Sequence, residues 1–307
     1  MRKYKGIECG RLVSACLIPL LHIPFSNSSF IVILQQYFAR IGVPYFYAVS
    51  GMFLICSIEK NGNREALCKY LKRIGKLLLV WGVIYSPFII RFDLYTIQQL
   101  IFKTPAYLWY LTGLLTAAVP FCLVKNRKAL LICAALLYFT GTLLGESYKW
   151  LMGGAKLYER IFLTTRNGIF FGLPLMCVGE LTWKKEKSLV PLLVMSGIAL
   201  FLEITFVGCN CDINDDRSMY FFIPLFVFFL VLCLRNWAPQ INVNYFSGIS
   251  TAIYVMQYGI ITMCTIVYNK LAIEYEFLNY ITWLLTIIIP IVFFNLVKKR
   301  KIAKILF

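Results

Sequence analysis

Across 307 residues, 60% of side chains are hydrophobic and only 15% are charged. Soluble domains run nearer half apolar and a quarter charged, so an ordinary soluble domain is excluded. The formal net charge of +17 does not point to nucleic acid. Its basic residues sit in short connections between long apolar runs, where they set membrane topology.

Those runs, such as 77–90 and 219–234, far exceed the roughly ten residues of a barrel strand. The fold class expected is all-α: a polytopic transmembrane helix bundle of about ten spans, forming a single domain over 1–307 with no appended soluble domain. The spans fall roughly at 8–25, 37–57, 74–92, 107–124, 129–145, 168–183, 189–207, 218–235, 247–268 and 280–297. Lys and Arg cluster at 2–5, 60–76, 125–128, 184–187 and 298–304, so both termini are predicted to be cytoplasmic. A multi-pass protein of a bacterial plasma membrane fits this pattern. The N-terminal MRKYKGIECGR precedes an apolar run without a small-x-small cleavage site, so the first span is expected to be uncleaved.

The first span carries Arg11 near its start and His22, the chain's sole histidine, near its end. Eleven helical steps separate the two by about 16 Å and return them to within about 20° of one face. Titratable groups are costly in lipid and usually face a bundle interior with a task, although an arginine also snorkels to headgroups. Both readings are open on this span alone. Pro19 removes a backbone donor just before His22 and is expected to kink the helix there.

The second span opens on Arg40 in ARIGVPYFYAVSGMFL, where Gly42, Pro44 and Gly51 permit bending and close helix approach. Entering the third, Lys69, Lys72, Arg73 and Lys76 recur at helical spacing. Such a row suits phosphate groups of a nucleotide or coenzyme, and suits anionic lipid equally. Trp109 and Tyr110 mark the next membrane entry, and Arg166 begins TRNGIFFG. The outer stretch 146–167 is the longest polar connection and reads as an interfacial or re-entrant segment. Eleven cysteines are scattered without metal-ligand spacing, and no metal site is expected.

Taken together, these motifs resemble the acyltransferase-3 family of integral membrane acyltransferases. Its hallmark, a base and a histidine with ten residues between them in the first span, matches Arg11 and His22. The second-span pattern matches Arg40, Gly42-Val43-Pro44 and Ser50-Gly51-Met52-Phe53. The family's paired arginines fall on Arg73 and Lys76, and its Leu-Trp-Tyr-Leu element on Leu108 to Leu111. STAIYVMQY, from Ser250 to Tyr258, resembles a late element in which Gln257 stands where histidine is common. Within the family, FARIGVPYF, GTLLGESY and TTRNGIFFG look most like the membrane domain of vancomycin-resistance serine racemases.

The resemblance implies transfer of an acyl group, often acetyl from acetyl-CoA at the cytoplasmic side, to a hydroxyl of a cell-envelope glycan or a small molecule. No permanently bound cofactor is implied; acyl-CoA is a substrate, and membrane lipids are the other partners. An alcohol does not attack a thioester unaided, and an imidazole, with an ordinary pKa of about 6.5, suits the role of general base. His22 is the expected base, with Arg11 orienting the site or stabilising developing charge. Arg40, Lys72, Arg73, Lys76, Trp109, Tyr110 and Arg166 are the expected donor- and substrate-binding residues. Two alternatives stay open: a permease-like domain for a small polar substrate such as an amino acid, with Glu180 and Glu203 coupling protons, or a non-catalytic scaffold.

Overall fold

A chain this apolar must satisfy its backbone polar groups internally wherever it meets lipid, and helices do so within each segment. In a computed structural model, residues 4–25, 29–89, 108–145, 147–148, 150, 164–183, 185, 187–210, 217–271 and 276–307 are described. Each of the ten predicted stretches coincides with a helix. The connection at 146–167, apart from 147–148, 150 and its last residues, lies outside the described residues, as does Tyr107.

Helix α1 spans Lys5–Leu17 and tightens into a 3-10 turn, Ile18–His22, with Pro19 in its first positions. The missing proline N–H favours this tighter winding. Four steps at about 3.0 residues per turn rotate His22 roughly 80° beyond its place in a uniform α-helix. The expectation that Arg11 and His22 share one face is therefore corrected: they diverge around the axis.

Helix α2 (Ser29–Ile33) passes through a π turn (Leu34–Ala39) into α3 (Arg40–Asn61). Gly62, at φ 79°, adopts the left-handed conformation that glycine tolerates and turns the chain directly into α4, Asn63–Ile89. The expected cytoplasmic connection at 58–76 is thus the end of α3, one glycine and the first half of α4.

There follow α5 (Trp109–Leu123), α6 (Arg127–Leu143), a π turn (Gly168–Gly172), α7 (Leu173–Trp183) and α8 (Val190–Asn210). The chain ends in α9 (Ile223–Asn236), α10 (Val243–Leu271), α11 (Glu276–Val297) and the short α12 (Ala303–Leu306). Among the described residues, four helical stretches are long and apolar enough to cross a membrane: Leu34–Asn61, Val190–Asn210, Val243–Leu271 and Glu276–Val297.

Helix α3 is the hub, packed against α7 most extensively and also against α1, α4 and α9. Glycines set its spacing to α7. A Cβ at Gly51 would stand 2.0 Å from the Met176 carbonyl oxygen, and one at Gly179 would stand 1.8 Å from that of Ala48. Small residues let helix backbones approach where packing, rather than the hydrophobic effect, drives association. The outer helices are the opposite: α8 exposes Val194, Met195, Ile198, Leu202 and Phe206, as a lipid-facing surface should.

The two acids considered for proton coupling, Glu180 and Glu203, have structural partners. Glu203 accepts backbone N–H bonds from Phe221 and Phe222 at 2.6 and 2.9 Å, capping α9, and also takes the Tyr148 hydroxyl. Glu180 on α7 pairs with Arg127 at the start of α6. Arg235 donates to the carbonyls of Thr182, Trp183 and Lys185, closing the C-terminal end of α7.

Candidate functional site

The helices α1, α3, α4, α5 and α10, with the chain's last residues, enclose a cavity of about 510 Å³. Four cations line it: Arg11, Lys69, Arg73 and Lys76. No Asp or Glu is among the lining residues. Four cations gathered at one partly enclosed space, with Glu8 and Glu65 beside two of them but no acid on the wall itself, favour an anion there.

The sequence builds this face by helical phase. Lys69, Arg73 and Lys76 are four and three residues apart on α4 and fall on one side of it. Lys72, one step from Arg73, is rotated about 100° away; it is exposed and does not line the cavity. Lys69 takes the place expected for Lys72. Its ion pair with Glu65, at 2.5 Å, is exposed on both sides and holds it weakly.

Arg11 enters from α1. Its Nη1 donates to both carboxylate oxygens of Glu8, at 3.2 and 3.1 Å, and to Ser247 Oγ of α10 at 3.1 Å. Its guanidinium lies 5.9 Å from the centre of the Phe46 ring. Glu8 is buried, so the pair is orientationally fixed, and Arg11 meets the cavity as an anchored cation.

Hydroxyls complete the wall. Tyr110 Oη and Ser50 Oγ lie 3.4 Å apart, and the Tyr110 ring stands edge-on to Tyr47 and Tyr254 at 4.8 and 5.4 Å. Ser250, Thr251 and Tyr254 of α10 and Ile305 and Phe307 at the chain's end also line the space.

The remaining expected site residues lie elsewhere. Trp109 carries the Arg166 guanidinium 4.6 Å above its ring, one residue from Tyr110. Asn167 fixes that approach by accepting from the N–H groups of Ile169 and Phe170 at 2.9 and 3.1 Å. Arg40 Nε donates to Gln36 at 2.8 Å, one turn earlier.

His22 does not line the cavity. It ends the 3-10 turn, which packs on the π turn at 34–39 and on α10 and α11. Gln35 Nε2 donates to the carbonyls of Leu20 and Ile23 at 2.7 and 3.4 Å, gripping the backbone on both sides of the histidine. From α11, Trp283 Nε1 donates to the Cys16 carbonyl at 2.8 Å, and Asn279 donates to that of Pro24. Among the described residues, no group of three His, Cys, Asp or Glu side chains could hold a metal ion.

Glu8 and Ser247 were not expected at the site, while Lys69 was named only within the α4 basic row and Tyr254 only within the late motif. The phase of α4 singles out Lys69, and the spacing from Glu8 to Arg11 would have found the acid. Nothing local would have found the two α10 residues.

A many-helix bundle with an apolar exterior and a cation-lined internal cavity fits a multi-pass membrane protein. The chain belongs to the acyltransferase-3 family: that family's profile, an acyltransferase domain, matches residues 4–298. Membership of that family supports an acyltransferase-type activity. The chain is 26% identical to a serine/alanine racemase of Enterococcus gallinarum over 333 aligned positions, covering 97% of this chain and 46% of that protein. An amino-acid racemase of Enterococcus faecalis is 25% identical, with 97% of this chain and 47% of that protein covered. Another from Enterococcus faecalis is 34% identical over 190 positions, covering 55% of this chain and 26% of that protein. The chain thus spans about half the length of the first two relatives. No solved structure matches it.

Proposed function

We propose that this protein is an O-acyltransferase that moves an acyl group, most simply acetyl, from acyl-CoA to a hydroxyl of an envelope carbohydrate or similar acceptor. One observation carries the reading: the cavity has four lining cations and no lining acid. The phosphates of coenzyme A meet Lys69, Arg73 and Lys76, where charge-assisted bonds to anionic oxygens are favourable. The thioester arm runs inward past Tyr110 and Arg11. In transfer, His22 takes the acceptor hydroxyl's proton as the oxygen attacks the thioester carbonyl. The carbonyl–sulfur bond then breaks, and the coenzyme leaves as a thiol. Arg11, held by Glu8 and Ser247, orients the donor in the cavity, about 16 Å along the seam from His22.

The test is purified protein in lipid discs with labelled acetyl-CoA. Turnover that disappears in His22→Ala, with donor binding retained, supports the assignment; full turnover in that variant would sink it. Orientation with both termini cytoplasmic belongs to the same proposal, since it puts the α4 cations on the side where acyl-CoA is made. Accessibility labelling of single cysteines placed at 62 and 125 tests it.

A second reading, a permease-like domain for an amino acid, draws on the racemase names of the matched relatives. It predicts flux of L-serine into vesicles without acyl-CoA consumption. The acids it would use for proton coupling, Glu180 and Glu203, are held by Arg127 and by the start of α9.

A further inference from the structure

Gln257 of α10 is fully buried, and among the described residues neither its Nε2 nor its Oε1 has a hydrogen-bond partner. Buried amides are almost always satisfied, since losing water without a replacement costs stability, so an unsatisfied one calls for an explanation. Its surroundings on the helix supply one. Ser247, Ser250, Tyr254 and Gln257 follow at spacings of three, four and three, forming one face of α10. Ser247 bonds Arg11, while Ser250 and Tyr254 line the cationic cavity.

Gln257 continues that face. It stands two turns, or about 10 Å, beyond Ser250. Tyr85 occupies the other side of α10, where its hydroxyl donates to the Val255 carbonyl at 2.6 Å and accepts from the Gly259 N–H at 3.4 Å. Residues two positions from each of those project roughly opposite, so Gln257 points away from Tyr85. Helix α10 packs along α1 and against the 3-10 turn that carries His22. The polar face that begins at the cavity thus ends in an unpaired amide at the depth of that turn.

We propose that Gln257 is a binding residue for the acceptor: its amide takes a neutral, hydroxyl-bearing group and positions it between the cavity and the 3-10 turn. An amide offers a donor and an acceptor together, and a sugar's adjacent hydroxyls complement both. The buried α10 residues from Ile253 onward are Ile253, Tyr254, Val255, Gln257 and Ile261, none of them charged. A zwitterionic amino acid would leave its charges uncompensated against that face, which a neutral glycoside would not. As an acceptor site this rests on the acyl-transfer reading, but the test separates the two.

Gln257→Met keeps length and removes both polar atoms. The measurement is thermal melting of the whole protein in lipid discs, with methyl β-glucoside or L-serine as probe. The unliganded variant melts a few degrees higher than the native protein, because an unsatisfied amide has gone. Saturating glycoside raises the native melting temperature and leaves that of Gln257→Met unchanged, as a ligand binding only the folded state requires. Where transfer to the glycoside is measured, KM rises at least tenfold in the variant while acetyl-CoA binding stays within twofold. Glycoside shifts that are equal in both proteins, or absent from both, overturn the proposal. A Gln257-dependent shift with L-serine instead overturns the neutral-hydroxyl class. If the native protein consumes no acetyl-CoA yet shows a Gln257-dependent glycoside shift, the acyl-transfer reading fails and the binding site stands.

Discussion

At the Arg11 end of the seam between α1 and α10, cations face an open space; at the His22 end, a short turn is clamped by its neighbours. The first end tolerates a ligand because side chains alone define it, on regular helix faces of α1, α3 and α4. The second is made from irregular backbone, a 3-10 turn against a π turn, with Gln35 and Trp283 satisfying carbonyls that winding alone would leave unpaired. Binding of a flexible, highly charged donor needs charge and room. In the proposed reaction, proton transfer needs an imidazole held closely in place, and the clamps on either side of His22 are suited to that.

This contrast is open to attack at each end. The largest effect is expected for His22→Ala: acyl transfer falls by about a hundredfold or more, the usual worth of a general base, with acyl-CoA affinity within about twofold. Steady-state turnover beside equilibrium binding measures both. Next, joint replacement of Arg73 and Lys76 by Ala weakens acyl-CoA binding by about ten- to a hundredfold, at roughly 1.5–3 kcal/mol for a charge-assisted contact. Binding at two ionic strengths checks this, since the native protein alone is strongly salt-sensitive.

A smaller effect, about tenfold on kcat with donor binding intact, is expected for Gln35→Leu, which frees the carbonyls of Leu20 and Ile23 and loosens the histidine. Equal losses in kcat and donor affinity would refute the division between the two ends. Smallest of all is Lys72→Ala. Its charge lies off the cavity face, so acyl-CoA affinity is expected to stay within about twofold, as for most exposed charges.

Much of the bundle was legible because each long apolar run has only one economical backbone in lipid. The ten predicted stretches all coincide with helices, yet α4 begins well before its apolar run does. Its first turns are polar and gain their order from the Gly62 turn and from packing against α3 and α5. Arg11, Arg73, Lys76 and Tyr110 were named from their motifs and do line one cavity. Lys72 was read as part of one basic row with Lys69, Arg73 and Lys76, whereas the cavity takes Lys69 and leaves Lys72 out. The shared face assumed for Arg11 and His22 failed because one proline changed the winding of four residues.

By itself, the sequence determined that this chain is a helical membrane protein, which residues carry charge into its spans, and the spacing that keeps Lys69, Arg73 and Lys76 on one side of α4. Those properties follow from composition and from the 3.6-residue period, and both are local. Only the tertiary structure decided that Arg11 would be anchored by Ser247, that α10 would lay Ser250 and Tyr254 along the same cavity, and that His22 would close a clamped turn beyond it. Each of these joins residues hundreds of positions apart. Close approach at Gly51 and Gly179 and the backbone's need for partners bring them together, and no local period records either.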